Sequence, residues 1–110
     1  MRMYVELDLR SGRRRLVEAE DFTRFHIEAD GDRCDVLEVL GSEARLGRRD
    51  HLWWSIEAVR RLAPSDRAPA WDEEFDAMMA WAGTRGWIDE AGTHVQVHIE
   101  RPGGGIVTGR

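Results

Sequence analysis

Residues 71–100, WDEEFDAMMAWAGTRGWIDEAGTHVQVHIE, decide the fold. Trp71, Phe75, Met78, Met79 and Ala82 recur at spacings of three and four, so they share one side of a 3.6-residue helix. Asp72, Glu73 and Glu74 crowd its first turn, where the helix dipole favours carboxylates. Arg85 stands in the last turn, and Gly86 supplies the left-handed residue that ends a helix. Beyond a turn through Asp89-Glu90-Ala91-Gly92 the period changes to two. Val95, Val97 and Ile99 point one way, and His94, Gln96, His98 and Glu100 the other. A helix with one apolar stripe and a strand with one apolar face pack as two layers.

Working outward, residues 3–10 alternate in the same way, with Val5, Leu7 and Leu9 opposite Tyr4, Glu6, Asp8 and Arg10. Ser11-Gly12 marks a turn, and residues 14–19 return as a weaker strand whose Arg13-Arg14-Arg15 run suits an exposed edge. Residues 22–29 alternate again, with Phe25, Ile27 and Ala29 opposite Arg24, His26 and Glu28. Asp32 is placed to cap a short helix that carries Val36, Leu37 and Leu40 and stops at Gly41. Residues 42–50 read as a surface loop, His51–Ser55 as a strand, and Ser55 as the cap of a helix running to Ala63 before Pro64. The expected fold is α+β in two layers. A mainly antiparallel sheet of four to five strands carries one long and two short helices on one face. One domain spans residues 1–101, and residues 102–110, opening with Pro102-Gly103-Gly104-Gly105, form a disordered tail.

Composition bounds the function. At 110 residues and 42% apolar the chain can bury one modest core. All 16 basic residues are Arg, and the absence of Lys and Asn reflects a high-GC genome. A net charge of −5 argues against nucleic acid or an anionic membrane as partner. No stretch approaches the roughly 20 apolar residues of a membrane-spanning helix. Met1-Arg2-Met3-Tyr4-Val5-Glu6 puts an acidic residue where a signal peptide needs an uninterrupted apolar run, so a cytoplasmic location is expected. Cys34 is alone, which excludes an internal disulfide, and its acidic neighbours Asp32 and Asp35 make it a half-buried hydrophobe rather than a reactive thiol.

Three strands with one apolar face leave a polar face open if the helices all lie on the other side. It would display Glu6, Asp8, Arg24, His26, Glu28, His94, Gln96, His98 and Glu100. The bland reading is a solvated sheet. The functional reading is a surface for protein–protein contact, with a second copy or with a basic partner that the net charge steers. Trp53 and Trp54 are consecutive in a strand and must face opposite ways. Leu52 and Trp54 share the core parity, which leaves Trp53 on the polar face as the candidate anchor. Trp81, at the flank of the helix stripe, is expected to pack at the core edge.

The rival class is a metal- or small-ligand-binding domain, or a small enzyme, using histidines and glutamates of the open face. His94 and His98 are four apart, which separates them by about 13 Å on a strand and prevents chelation of one ion. A metal would need cross-strand partners such as His26 with His98 and Glu28 or Glu100. No phosphate loop, nucleophile motif or metal-ligand spacing is present, so no catalytic residue, cofactor or metal is expected. The favoured function is a non-catalytic interaction module whose face comprises Trp53, His26, Glu28, His94, Gln96, His98 and Glu100.

Overall fold

The alternation of residues 94–100 becomes β6 (His94–Glu100), with Val95, Val97 and Ile99 buried and the residues between them half-buried. A computed structural model describes residues 3–102 and sets this strand inside a six-stranded sheet. The other strands are β1 (Met3–Leu7), β2 (Arg14–Val17), β3 (Phe25–Glu28), β4 (Ala44–Leu46) and β5 (His51–Ser55). Their order is β2-β1-β3-β6-β5-β4. Helices α1 (Arg33–Leu40), α2 (Ile56–Arg60) and α3 (Trp71–Thr84) complete the fold.

Two expectations about the sheet need correcting. It has six strands, not four or five, and it is mixed rather than mainly antiparallel. β1 pairs β3 in parallel, and β3 pairs β6 in parallel; the pairs β1–β2, β5–β6 and β4–β5 are antiparallel. The physical reason is that side-chain alternation is the same in both pairings, so periodicity carries no direction. β2 returns along the outer edge of β1, and the chain then crosses to bring Phe25 beside Met3 on the other side. The sixth strand lies inside the stretch read as a surface loop. β4 is three residues long, too short for alternation to reveal, and it pairs β5 from Ala44 opposite Trp54 to Leu46 opposite Leu52.

The helices follow their local signals. Asp32 accepts hydrogen bonds from the backbone N–H groups of Cys34 and Asp35, both at 3.0 Å, and Asp35 accepts one from the backbone of Asp32 in return. This reciprocal cap satisfies N–H groups that have no partner inside the helix. Ser55 Oγ accepts from the Ala58 N–H, but α2 ends at Arg60 rather than Ala63, and the chain closes in turns before Pro64. α3 stops where the sequence indicated, with Gly86 at φ 79° just past Arg85.

All three helices lie on one side of the sheet, because residues from each join a single core. Val36 and Leu40 of α1, Ala58 and Val59 of α2, and Trp71, Phe75 and Ala82 of α3 meet Val5, Ile27, Leu52, Trp54 and Val97. Trp71 and Phe75 stack at 5.2 Å, and Phe22 tilts onto Trp71 at 5.5 Å. The Trp71 indole N–H donates to the Ala19 carbonyl at 2.8 Å, which pins the β2–β3 connection to the long helix. Cys34 is exposed on α1, not half-buried as expected, because the first turn of that helix projects beyond the sheet-facing residues Val36 and Leu40. The expected tail falls, from Gly103 onward, outside the described residues. No helix among the described residues is long and apolar enough to cross a membrane.

Candidate functional site

The parallel register assembles the polar face in rows. Tyr4, His26, His98 and His51 lie directly opposite one another across β1, β3, β6 and β5. Tyr4 and His26 stack at 5.1 Å, and His98 meets His51 at 5.0 Å. The next row brings Glu6, Glu28 and Glu100 together, with Arg15 of β2 closing it by a 2.7 Å ion pair to Glu6. Three carboxylates in register repel one another unless compensated. His26 supplies part of the compensation, with Nε2 at 3.3 Å from Glu28 and 3.6 Å from Glu100. His98 presents Nε2 to Asp50 at 2.8 Å and Nδ1 to Glu100 at 3.4 Å.

These contacts leave marks on the titrating groups. Burial, followed by the carboxylates of Glu28 and Glu6, raises the Tyr4 hydroxyl above its usual value. Burial alone would raise the Asp50 carboxyl, but its hydrogen bond to His98 holds it below the ordinary carboxylate range. Among the described residues His26 is the only buried polar side chain, at 3% exposure, with Tyr4 stacked on its ring and Glu28 and Glu100 at its Nε2.

At one end of the sheet this face opens into a cleft of about 390 Å³. β3 begins only at Phe25, so the first residues of β6 lack a strand partner on that side. Residues 87–88 fill part of the gap, with Ile88 bridging Val95 and the Trp87 carbonyl accepting from the Gln96 N–H at 2.7 Å. The remaining notch is floored by Phe22, Phe25, Met78 and Met79 and reaches Gln96, His98 and Glu100 on the polar face. Trp81 and Trp87 wall it, edge to face at 5.3 Å, with the Arg85 guanidinium 5.6 Å from the centroid of each ring. A second hollow, of about 370 Å³, adjoins it through Trp87 and Gln96 and continues to Arg48, Arg49 and His51.

The sequence-derived candidates divide accordingly. His26, Glu28, Gln96, His98 and Glu100 come together on one face. His94 sits apart at the start of β6, opposite Ser55, with Nδ1 3.4 Å from Asp89. Trp53 stands on the polar face opposite Gln96 while Leu52 and Trp54 are fully buried, as parity requires. It is half-buried, with the Arg45 guanidinium 5.7 Å from its ring. The most exposed tryptophan is instead Trp81, at 52%, followed by Trp87 at 37%. The expectation that Trp81 packs at the core edge is therefore corrected. It lies a full 100° round the helix from buried Ala82, and no element closes that flank. The sequence offered one signal for this pair, an aromatic residue on each side of the Arg85-Gly86 helix stop.

His26 and His98 do fall opposite each other, the one arrangement that could have supported a cross-strand metal. His26 Nε2 faces Glu28 and Glu100 while His98 Nε2 faces Asp50, and among the described residues no group of three or more His, Cys, Asp or Glu is placed to hold a metal ion. No protein-family model matches the chain, and neither the curated proteins nor the solved structures contain a significant match.

Proposed function

We propose that this protein is a non-catalytic interaction module that self-associates through the polar face of its sheet and the adjoining tryptophan ridge. The observation that carries this reading is the pair Trp81 and Trp87, exposed at 52% and 37% beside a sheet face that no helix covers. Tryptophan standing in water at the edge of an open surface is the residue that most often anchors a protein contact. The strand directions add to it. Parallel strands are ordinarily covered on both faces, and β1, β3 and β6 are covered by helices on one only.

The charge pattern favours a second copy as the occupant. Glu6, Glu28 and Glu100 make one half of the face acidic, and Arg48 and Arg49, neither paired with a carboxylate, bring positive charge to the turn before β5. A two-fold axis lays each region on its opposite, which is the self-complementarity an isologous dimer requires. A catalytic role has less support, because His26, though it borders the cleft, is only 3% exposed and its Nε2 lies against two carboxylates.

Light scattering across protein concentration, at pH 5.5 and pH 8, tests the reading. A concentration-dependent dimer is expected. A monomer at every concentration at both pH values would remove self-association.

A further inference from the structure

In a chain of net charge −5, the arginines divide into two groups. Arg14, Arg15, Arg45, Arg60, Arg61, Arg67 and Arg101 each lie within ion-pair distance of a carboxylate. Among the described residues Arg10, Arg13, Arg24, Arg33, Arg48, Arg49 and Arg85 do not, and four of these seven, Arg24, Arg48, Arg49 and Arg85, stand around the cleft and its adjoining hollow. Arg49 is held at φ 53°, a left-handed conformation unusual for a side chain of its size, in the turn between β4 and β5. The acidic groups nearby are already engaged, Glu100 with His26 and His98, and Asp50 with His98 and His51.

We propose that the cleft binds a small organic anion with an aromatic-sized apolar body. The body lies on Phe22, Phe25 and the two methionines, against the Trp87 ring. Its carboxylate reaches along Gln96 toward Arg48 and Arg49. Both requirements of a small-molecule site are met, an apolar concavity for binding energy and a few convergent polar groups for orientation. Charge complementarity selects the sign: unpaired guanidiniums at the rim reward a carboxylate and repel an ammonium group. This inference goes beyond the interaction reading, and because Trp81 and Trp87 border the cleft, a second copy seated on that ridge competes with the ligand.

The probes are 3-phenylpropionate, 3-phenylpropanol and 3-phenylpropylamine, which share one apolar body and differ in charge. Each is titrated into the full chain by calorimetry on samples dilute enough that light scattering reports the monomer, so that no second copy covers the cleft. The acid is expected to bind saturably and at least about tenfold more tightly than the alcohol. The amine is expected to bind more weakly than the alcohol, and added salt to weaken the acid alone. The variant R48S/R49G should lower the acid's affinity to that of the alcohol without unfolding the protein, since glycine accepts the backbone conformation of residue 49. Equal binding of acid and amine, or an acid affinity unchanged in that variant, would overturn the assigned charge. Absence of binding by all three probes to the monomer would overturn the ligand site, and association at higher concentration would then leave the interaction reading standing.

Discussion

Asp89 organises the turn that feeds β6. Its carboxylate accepts from the backbone N–H groups of Thr93 and His94, at 2.9 and 3.0 Å, and from Arg45 at 3.0 Å. Burial would raise this carboxyl, but the His94 backbone bond, Arg45 and the Thr93 backbone bond together hold it well below the usual range. A folded value lowered in this way contributes stability above the ordinary carboxylate value and loses it as pH falls. Asp89→Ala should therefore cost about 1–3 kcal/mol at pH 7, the price of several bonds to a charged group. Urea unfolding repeated at pH 3 should show a narrower gap between variant and wild type; a constant gap would mean the carboxylate form is not what matters. Phe75 belongs to the same scale. It is fully buried between Trp71 and the sheet, so Phe75→Ala should cost about 3–5 kcal/mol in the same assay.

Elements were legible in proportion to their length and period. α3 and β6 stand where the spacing of Trp71, Phe75 and Ala82 and the alternation of Val95, Val97 and Ile99 put them. β5 was readable from five residues because Leu52 and Trp54 differ so sharply in setting from His51 and Ser55. β4 was not, since Ala44-Arg45-Leu46 offers one alternation, and its pairing depends on β5 being there first. Gly47 shows how tightly that pairing is built. A Cβ at this position would come within 2.9 Å of the His51 carbonyl oxygen, and the Gly47 N–H donates to the same oxygen at 3.0 Å. Backbone cannot yield as a side-chain tip can. Gly47→Ala should cost about 1–3 kcal/mol and should raise hydrogen exchange at the Gly47 amide. Unchanged exchange would show that the turn tolerates the methyl group.

For the whole molecule, strand direction was the part hidden from sequence, and it determines the site. The sequence marks His26, Glu28, His98 and Glu100 as facing one way, but only the parallel β3–β6 register sets histidine against histidine and glutamate against glutamate. The same register starts β3 late relative to β6 and leaves the notch that Trp81 and Trp87 border. Trp53 could be assigned to the polar face by parity, whereas the greater exposure of Trp81 depends on how α3 lies on the sheet, which no local pattern states. On this reading the ridge and the polar face form one contact surface. Sedimentation equilibrium on wild type and on W81S/W87S, with thermal melts of both, tests it most directly. The wild type is expected to associate and the double variant to be monomeric, with a melting temperature within a few degrees of the wild type. A double variant that associates as strongly as the wild type, or a wild type that stays monomeric throughout, would contradict it.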